Sequence, residues 1–466
     1  MGRKHQYRVS TSLPVSATEA FAYHERPGAL QRLTPPWEKV SIESSDESIT
    51  VGSELVLKTS FAGIPLRWVA RHVQYDPPHL FADTQVSGPF ASWDHRHEFR
   101  DLQVTGTEAR STLTDSIDYE LPAGAIGNLF GNALVQQKIE SMFAYRHRIT
   151  SDDLHLVSRY PSERLRFAIS GSSGLVGSNL ASLLKLLGHE TTPIVRTQEG
   201  SNSIAAWDAA AEIEKFNDID VVVHLAGKSI AGGRWTEKTK QEIRDSRVIK
   251  TRQLCESLAS LEQKPKVLIC ASATGIYGDR GDTVFDEASS CGDDYLADVA
   301  TEWEAACQPA IDAGIRVVNA RFGLVLSVAG GALEQMLLPA KMMGGKLGSG
   351  KQWWSWIALD DVLGAIYHCV QRADISGPVN FVSPEPITNS GFTQTLGRVL
   401  NRPPLIPAPA FGLRLALGEM ADALLLASTR VVPGVLQRSG YAFRFTDLEA
   451  ALRYSLGRER LQSEAS

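Results

Sequence analysis

The chain has 466 residues, more than one hydrophobic core usually organises, so its length favours two domains or slightly more. Its composition is 43% hydrophobic and 21% charged, and its formal net charge is -6, all typical of a globular protein. This balance excludes a general electrostatic affinity for nucleic acid or anionic lipid.

The N-terminal segment and the cysteines bear on where the protein works. No apolar stretch follows the first basic residues, and nowhere do about 18 uncharged apolar residues run together, so we expect neither export nor membrane insertion. The cysteines are odd in number, scattered and never spaced C-x-x-C, so we expect no disulfide framework and no metal site. A cytoplasmic location fits best. The five are Cys255, Cys270, Cys291, Cys307 and Cys369.

The first 150 residues are predicted to form strands followed by one long helix. A short helix is predicted over Ala17–His24, and apolar residues at helical spacing predict an amphipathic helix over Ala125–His147. Alternating patterns predict strands near residues 7–12, 39–42, 54–59, 66–73, 79–85, 93–101 and 109–120.

This order resembles the helix-grip architecture of the SRPBCC superfamily, which is related to START domains. The resemblance implies an α+β fold in which the last helix lies across a curved sheet. Such folds often leave an apolar cavity, so one interpretation is a site for a small apolar ligand. A packed core without a ligand is the other interpretation, because fold alone does not determine function.

A polar stretch over residues 151–164 separates this pattern from a different one. From residue 165 onward, apolar strands alternate with helices, which predicts a parallel sheet covered on both faces, as in a Rossmann-like, doubly wound α/β fold. We therefore predict an α+β domain over 1–152, a linker over 153–164, a Rossmann-like α/β domain over 165–398 and a C-terminal segment over 399–460.

The second domain opens with a buried strand, a glycine-rich turn and a helix, starting at Phe167. The first glycine permits a tight turn, the second lets a pyrophosphate approach the backbone, and the third permits close packing of helix on strand. The N-terminus of the helix then favours phosphate. The predicted cofactor-binding residues here are Gly171, Ser173, Gly174, Leu175, Val176 and Gly177.

Arg196 and Thr197 end the second predicted strand of this domain. NAD-selective enzymes carry an acidic residue at this point, whereas a basic residue accommodates the 2′-phosphate of NADP. Arg196 is therefore predicted to bind that phosphate in a forked geometry, with Thr197 adding a hydroxyl. A solvated arginine at a strand end is the alternative.

Several further motifs, among them Ser272-Ala-Thr-Gly-Ile-Tyr-Gly278 and Trp356-Ile-Ala-Leu-Asp-Asp361, complete a resemblance to the atypical extended short-chain dehydrogenases/reductases of the epimerase-like branch. It covers residues 165 to about 455. The resemblance implies that residues 165–398 bind NAD(P) and that the C-terminal segment over 399–460 is the extra segment of this branch, on the substrate side. The resemblance implies that Leu225, Ala226 and Gly227 lie by the adenosine and ribose. It also implies that Glu242 and Arg247 reach the cofactor and that Ile276 lies on the nicotinamide side; surface charges remain the alternative for Glu242 and Arg247.

The catalytic Tyr-x-x-x-Lys of the superfamily is missing, because Tyr295 is followed four residues later by Val299. A tyrosine without a nearby cation, with a pKa of about 10, is a poor base at neutral pH. Lys228, Arg234, Lys250, Lys341, Lys346 and Lys351 are candidate substitutes for the lysine. The candidate catalytic residues are Ser272, Thr274, Tyr277 and Tyr295.

Two functions from different classes lead, and a third treats the N-terminal domain as a lipid or polyketide carrier and the second domain as its reductase. One is an NADP-dependent oxidoreductase or epimerase acting on a small carbonyl or sugar-derived substrate. The other is an NADP(H)-binding sensor or regulatory protein without turnover, which the missing lysine favours. Tryptophans at 353, 354 and 356 are interpreted either as a stacking surface for a substrate ring or as core anchors. The oligomeric state stays open.

Overall fold

The computed structural model describes residues 4–61, 64–103, 109–122, 124–160, 163–195, 204–205 and 213–459. The chain divides into two compact units, the first built mainly from residues 1–162 and the second mainly from residues 163–455. Among the described helices, none is both long enough and apolar enough to cross a membrane.

The first unit contains a seven-stranded antiparallel sheet and three helices. The sheet order is β1-β7-β6-β5-β4-β3-β2, so the first strand closes against the last. The elements are β1 (Lys4–Leu13), α1 (Ala17–Glu25), α2 (Ala29–Leu33), β2 (Ser41–Ser45), β3 (Glu54–Phe61), β4 (Ile64–Asp76), β5 (Leu80–Ser87), β6 (Ser92–Asp101), β7 (Ser111–Glu120) and α3 (Gly124–Arg159).

Alternating side chains build the core of this unit. On β6, Trp93, His95, His97 and Phe99 are buried while the residues between them point outward or are partly exposed. Apolar residues of α3, including Ile139 and Phe143, pack with Trp93 and with side chains of β7. The long final helix lying on a curved antiparallel sheet is the predicted helix-grip arrangement.

The end of α3 differs from the predicted boundary. The helix continues to Arg159, so residues 153–159, predicted as linker, form its last turns. Asp153 is fully buried there and accepts hydrogen bonds from Arg32 Nε and Nη2, both at 2.8 Å, and from the Tyr23 hydroxyl at 2.9 Å. The polar sequence of this stretch concealed a buried ion pair that fastens the helix.

The second unit contains fifteen described strands, of which seven form one parallel sheet. Its strands are β8 (Arg166–Ser170), β9 (Glu190–Val195), β10 (Ile204–Ala205), β11 (Val221–His224), β12 (Val267–Ala273), β13 (Val284–Phe285), β14 (Arg316–Phe322), β15 (Leu324–Leu326), β16 (Gly344–Leu347), β17 (Trp353–Trp354), β18 (Trp356–Ala358), β19 (Gly377–Phe381), β20 (Ile387–Thr388), β21 (Ile406–Ala408) and β22 (Arg430–Val431). The main sheet has the order β10-β9-β8-β11-β12-β14-β19. The remaining strands form two-stranded pairs: β13 with β22, β15 with β18, β16 with β21, and β17 with β20.

Helices cover this sheet and build the C-terminal part. They are α4 (Leu175–Leu186), α5 (Glu237–Ala259), α6 (Tyr295–Ala305), α7 (Gln308–Asp312), α8 (Gly331–Lys341), α9 (Leu359–Gln371), α10 (Asn389–Leu400), α11 (Ala410–Leu417), α12 (Gly434–Arg438) and α13 (Leu448–Ser455), with 3₁₀ turns at Ile213–Phe216 and Thr274–Tyr277 and a π-helical turn at Ala421–Leu426. The central strands are buried along their length, as expected when helices cover both faces. The predicted Rossmann-like, doubly wound sheet is confirmed.

Replacing Arg32 by alanine is expected to destabilise the first unit by about 3–5 kcal/mol, because it leaves the Asp153 carboxylate buried without its cation. Hydrogen exchange of peptides from β1, β7 and α3 measures this loss. Lys58→Ala, which breaks an exposed ion pair with Glu43, serves as the control and should leave exchange nearly unchanged, because solvent screens the pair. Equal effects of the two substitutions would contradict the assignment.

Candidate cofactor and active site

The glycine-rich turn lies at the point where the order of the parallel sheet reverses. β8 pairs with β9 on one side and with β11 on the other, and the turn leaves its carboxyl end. Ligands of open α/β sheets bind in the crevice at such a switch point. The turn therefore occupies the position at which this fold binds ligands.

Gly171 begins the turn in a backbone conformation that favours glycine, with φ of +68°. A Cβ atom on Gly171 would also lie 3.0 Å from the amide nitrogen of Ala226 and the carbonyl carbon of Leu225. The turn after β8 thus packs directly against the loop after β11, which brings Leu225 and Ala226 to the glycine turn.

Gly177 makes the second close approach, between α4 and the turn itself. A Cβ atom on Gly177 would lie 2.2 Å from the carbonyl oxygen of Gly171, so a larger residue would push the helix from the turn. Ser173 and Gly174 are exposed, while Leu175 and Val176 are partly buried. Because α4 begins at Leu175, the N–H groups of its first turn have no acceptor within the helix and are available to an anion.

A buried pair, Ser170 and His224, supports this turn and was missed at the sequence level. Ser170 Oγ accepts hydrogen bonds from the backbone N–H groups of Leu225 at 3.0 Å and Ala226 at 3.2 Å. It lies 2.7 Å from His224 Nδ1, and His224 Nε2 lies 3.0 Å from Thr251 Oγ1. With two donors already on Ser170 Oγ, its own proton goes to Nδ1, so the imidazole is neutral with its proton on Nε2. Burial lowers the pKa of His224 to about 4, in agreement with the neutral form.

Arg247 and Glu242, which the resemblance predicts to reach the cofactor, lie on α5 and contact the loop after β11. Arg247 donates to the carbonyl oxygen of Lys228 at 3.0 Å and lies over the Trp303 ring at 5.1 Å, and a Cβ atom on Gly227 would lie 3.4 Å from its guanidinium carbon. Glu242 is exposed and pairs with the ammonium of Lys228. Arg247 is therefore more than a solvated surface charge, whereas Glu242 is a surface ion-pair partner next to the loop. Arg196 and Thr197 follow β9 directly and lie outside the described residues.

Ser272 and Tyr277, two of the predicted catalytic residues, lie in a buried polar network. Glu304 accepts hydrogen bonds from Ser272 Oγ at 2.7 Å and from Arg321 Nε and Nη2, both at 2.8 Å. Arg321 Nη1 also donates to the Tyr277 hydroxyl at 2.8 Å, which donates to Asn380 Oδ1 at 2.7 Å. Burial raises the pKa of Tyr277 to about 12, and its side chain is fully inaccessible.

These contacts argue against a proton-transfer role for Tyr277 and for Ser272, because both hydroxyls already have partners away from solvent. Ile276 differs from its expected place as well: it is 1% exposed and packs in an apolar cluster with Tyr277, Phe285 and Val431. Its side chain has no free surface for a nicotinamide. The side chains of Ile276 and Tyr277 therefore lie in the interior behind β12 and not on the wall of a crevice.

Tyr295 and Thr274 are the predicted catalytic residues that remain partly exposed. The Tyr295 hydroxyl donates to the carbonyl oxygen of Lys240 at 2.8 Å, and the ammonium of Lys240 lies 5.1 Å from the centre of the tyrosine ring. Burial raises the pKa of Tyr295, while the charges of Arg247 and Lys240 act to lower it. Val299, which stands where the superfamily has lysine, is 5% exposed and belongs to the core side of α6. Lys240 was absent from the predicted substitutes because its proximity depends on the packing of α5.

Within the described part of the chain, Thr274 Oγ1 donates a long hydrogen bond, 3.3 Å, to the carbonyl oxygen of Phe322. The tryptophan-rich segment serves mainly as a core anchor, since Trp354 and Trp356 are buried. Trp353 is partly exposed, donates from Nε1 to Asp282 Oδ1 at 2.7 Å and carries the guanidinium of Arg430 over its ring at 4.1 Å. Of these three tryptophans, Trp353 is the one whose ring retains exposed surface for stacking.

The first unit contains a separate candidate site, a cavity of about 820 Å³ between its sheet and its helices. Most of the wall is apolar, and one end is polar. Among the apolar lining residues are Leu57, Trp68, Phe90, Trp93, Val135 and Ile139, and the polar residues include His72, Asp83, His95, His97 and Arg146. The cavity is large enough for a small organic ligand.

Comparison with known proteins agrees with this geometry. The chain is 40% identical over 295 residues to Epimerase family protein Mb2239 of Mycobacterium bovis, covering 62% of this chain and 97% of the relative. The chain belongs to the epimerase family. The model of the NAD dependent epimerase/dehydratase family matches residues 167–381 of this epimerase-family chain.

Two further models match outside that range of the epimerase-family protein. Residues 13–143 match the family described as polyketide cyclase / dehydrase and lipid transport, in agreement with the SRPBCC resemblance, and residues 408–454 match a domain of unknown function, DUF1731. The nucleoside-diphosphate sugar epimerase from Corynebacterium glutamicum has a TM-score of 0.79 and 34% identity, covering 98% of this chain and 91% of its own. Human epimerase family protein SDR39U1, solved with NADPH, has a TM-score of 0.58 and 32% identity over 63% of this chain and 99% of its own.

His224 is expected to make the second unit of the epimerase-family protein sensitive to acid. Its pKa is about 4 in the folded chain and about 6.5 when unfolded, so between these pH values the unfolded chain binds the extra proton. The contribution of neutral His224 is therefore complete above about pH 6.5 and decreases as the pH falls, by about 2 kcal/mol at pH 5.

The measurement compares the wild type with His224→Asn, using hydrogen exchange of β11 and β12 at pH 7 and pH 5, corrected for intrinsic exchange rates. Other titrating groups cancel in the difference between the two proteins. The wild type should lose about 2 kcal/mol more than the variant on acidification. Equal losses in both proteins would show that His224 does not titrate abnormally.

Proposed function

We propose that this protein binds NADP(H) at the turn between β8 and α4 and acts as an NADP-dependent oxidoreductase or epimerase on a small carbonyl or sugar-nucleotide-type substrate. The observation that carries the proposal is the close packing at Gly171 and Gly177 at the switch point of the sheet. It leaves the start of α4 open to a pyrophosphate, with no Cβ atom in the way.

NADP is proposed over NAD because Arg196 follows the carboxyl end of β9, where a 2′-phosphate would lie. The human relative that was solved with NADPH supports this choice, since the chain aligns with nearly all of it. Within the cofactor site, Leu225 and Ala226 would pack by the adenosine and ribose. Arg247 would act indirectly, by holding the loop at Gly227 and Lys228 in place.

Proton transfer is proposed to involve Tyr295. The ammonium of Lys240 near its ring acts to lower the pKa of Tyr295, in place of the missing lysine of Tyr-x-x-x-Lys, although burial raises that pKa and Glu419 pairs with the same ammonium at 2.7 Å. Thr274, whose hydrogen bond to the carbonyl oxygen of Phe322 is long, is proposed to polarise a substrate carbonyl from the end of β12. The hydroxyl of Tyr295 must leave the carbonyl oxygen of Lys240 to reach a substrate.

An NADP(H)-binding sensor without turnover is the second candidate function. The observation that favours it is that Ser272 and Tyr277 are committed to the buried network of Glu304 and Arg321, which leaves few hydroxyls for chemistry. The first unit is proposed to hold a small apolar ligand in its cavity. We propose a cytoplasmic protein whose partners are small molecules, without nucleic-acid binding or membrane insertion.

Gly177→Ala is expected to reduce NADPH affinity at least a hundredfold, because the new Cβ atom meets the carbonyl oxygen of Gly171 and displaces the turn from the helix. Titration calorimetry with NADPH and NADH measures the effect. Gly412→Ala, where the new atom makes only an ordinary contact, is the control and should bind like the wild type. Arg196→Ala should lower NADPH affinity by about 10–100-fold and leave NADH affinity unchanged. Failure of the wild type to bind either nucleotide at millimolar concentration would overturn the proposed function.

Turnover separates the two candidate functions. We expect oxidation of stoichiometric NADPH, followed at its absorbance band, with at least one member of a panel of carbonyl compounds and sugar nucleotides. For an epimerase, product analysis of the sugar nucleotides replaces net oxidation. Tyr295→Phe should abolish the reaction while retaining NADPH binding. Tight NADPH binding with no conversion of any panel member would instead support the sensor.

A further inference from the structure

A row of polar side chains crosses the inner face of the sheet in the first unit. His72 on β4 is paired across the strands with Asp83 on β5, and Asp83 is paired with His95 on β6. His97 lies two residues after His95 and so points to the same face. All four line the cavity, in a unit whose inner face is otherwise largely apolar.

Three of these side chains lie close enough together to share one ion. Asp83, His95 and His97 each offer a ligand atom, and these atoms lie within 4.8 Å of one another. His95 Nδ1 is 3.5 Å from Asp83 Oδ2. Around a tetrahedral zinc ion with bonds of about 2.1 Å, neighbouring ligand atoms are about 3.4 Å apart. The measured separation already matches one edge of such a site.

Asp115 on β7 contacts the imidazoles of the cluster and thereby orients them. It accepts from His95 Nε2 at 3.1 Å and from His147 Nε2 at 2.7 Å. A proton on Nε2 of His95 leaves the lone pair on Nδ1, the nitrogen that faces Asp83. Metal-binding histidines commonly donate their other N–H to a carboxylate in this way, which sets both the tautomer and the direction of the ring.

His97 is also buried and lies against Asp115. The residue is only 5% exposed, and its Nδ1 lies 2.5 Å from Asp115 Oδ1. A proton on Nδ1, shared with this carboxylate, leaves the lone pair of His97 on Nε2, which is the nitrogen that remains for an ion.

The charges around the cluster permit a divalent cation. The carboxylates of Asp83 and Asp115 together offset a charge of two, and the guanidinium of Arg146, which also lines the cavity, opposes them. Two imidazoles and one carboxylate are donors that suit Zn²⁺ and Fe²⁺, and three protein ligands leave positions open on the ion. Because the three residues line the cavity, those positions face it.

We propose that Asp83, His95 and His97 bind one divalent transition-metal ion at the polar end of the cavity, with Asp115 as the orienting carboxylate. The open coordination positions hold water or an oxygen atom of an apolar ligand in the cavity. Cysteine spacing alone predicted no metal site, and this proposal departs from that expectation. The competing account is a hydrogen-bonded histidine–aspartate cluster that takes up no ion.

The experiment titrates Co²⁺, and in parallel Zn²⁺, into the full-length protein after removal of metal by a chelator. We expect one equivalent of Co²⁺ to bind with a visible absorption band of low-symmetry coordination, and Zn²⁺ to displace it. Asp83→Asn and His97→Gln should each weaken binding at least a hundredfold. Asp115→Asn, which disturbs only the orientation of the ligands, should weaken binding by about 10–100-fold.

His79→Gln, at an exposed histidine in the turn before β5, is the matched control and should bind Co²⁺ like the wild type. Circular dichroism verifies that each variant is folded; if His97→Gln does not fold, Asp83→Asn, which preserves shape and hydrogen bonding, decides. Absence of a visible band in the wild type, or a band that survives in Asp83→Asn, would overturn the proposal. Neither result depends on NADP(H) binding by the second unit.

Discussion

Two close backbone approaches at the end of β8 determine what the second unit can do. The carbonyl oxygen of Gly171 occupies the space that a side chain on Gly177 would need, and the α-carbon of Gly171 faces the backbone of Leu225 and Ala226. These contacts bring the start of α4, the end of β8 and the loop after β11 into one small region. The proposed cofactor site depends on this compaction more than on any single hydrogen bond.

Buried hydrogen bonds hold the polar interior behind the glycine turn in place. Ser170, His224 and Thr251 connect β8, β11 and α5, and Glu304 with Arg321 connects α6 to β14. Every removal of one partner from such a network leaves a buried polar group unsatisfied, which costs more than the hydrogen bond contributes. The rigid part of the site is therefore polar and interior, whereas the partly exposed Tyr295 and Lys240 lie at its edge.

Much of the fold follows from periodicity. Continuous apolar runs at β8 and β11 predict strands covered on both sides, and the glycine spacing predicts the turn at its correct place. Strand periodicity also predicts that His95 and His97 face the same side, although their approach to Asp83 depends on strand pairing that the local sequence does not show. The length of α3 escaped prediction because its last turns owe their burial to Arg32, more than 100 residues away in sequence.

The sequence predicts the part of the candidate site that depends on backbone conformation, which is the glycine turn. It predicts less well which side chains are buried and which face a crevice. Tyr277 and Ile276 stand in a motif that resembles a catalytic segment, yet their side chains turn inward. Hydroxyl-bearing residues at strand ends satisfy buried partners as readily as they serve substrates, and only the fold separates the two uses. Lys240 illustrates the converse, since a helix-surface cation acquires a place beside Tyr295 through the packing of α5 and α6.

The buried position of Val299 limits how this protein could be redesigned. A lysine introduced there, to restore the pattern of better-known dehydrogenases, would carry its ammonium into the buried side of α6. Introducing the lysine would require repacking of α6 against its neighbours in addition to the single substitution. The cation that lies beside Tyr295 comes instead from the neighbouring helix α5, which carries Lys240.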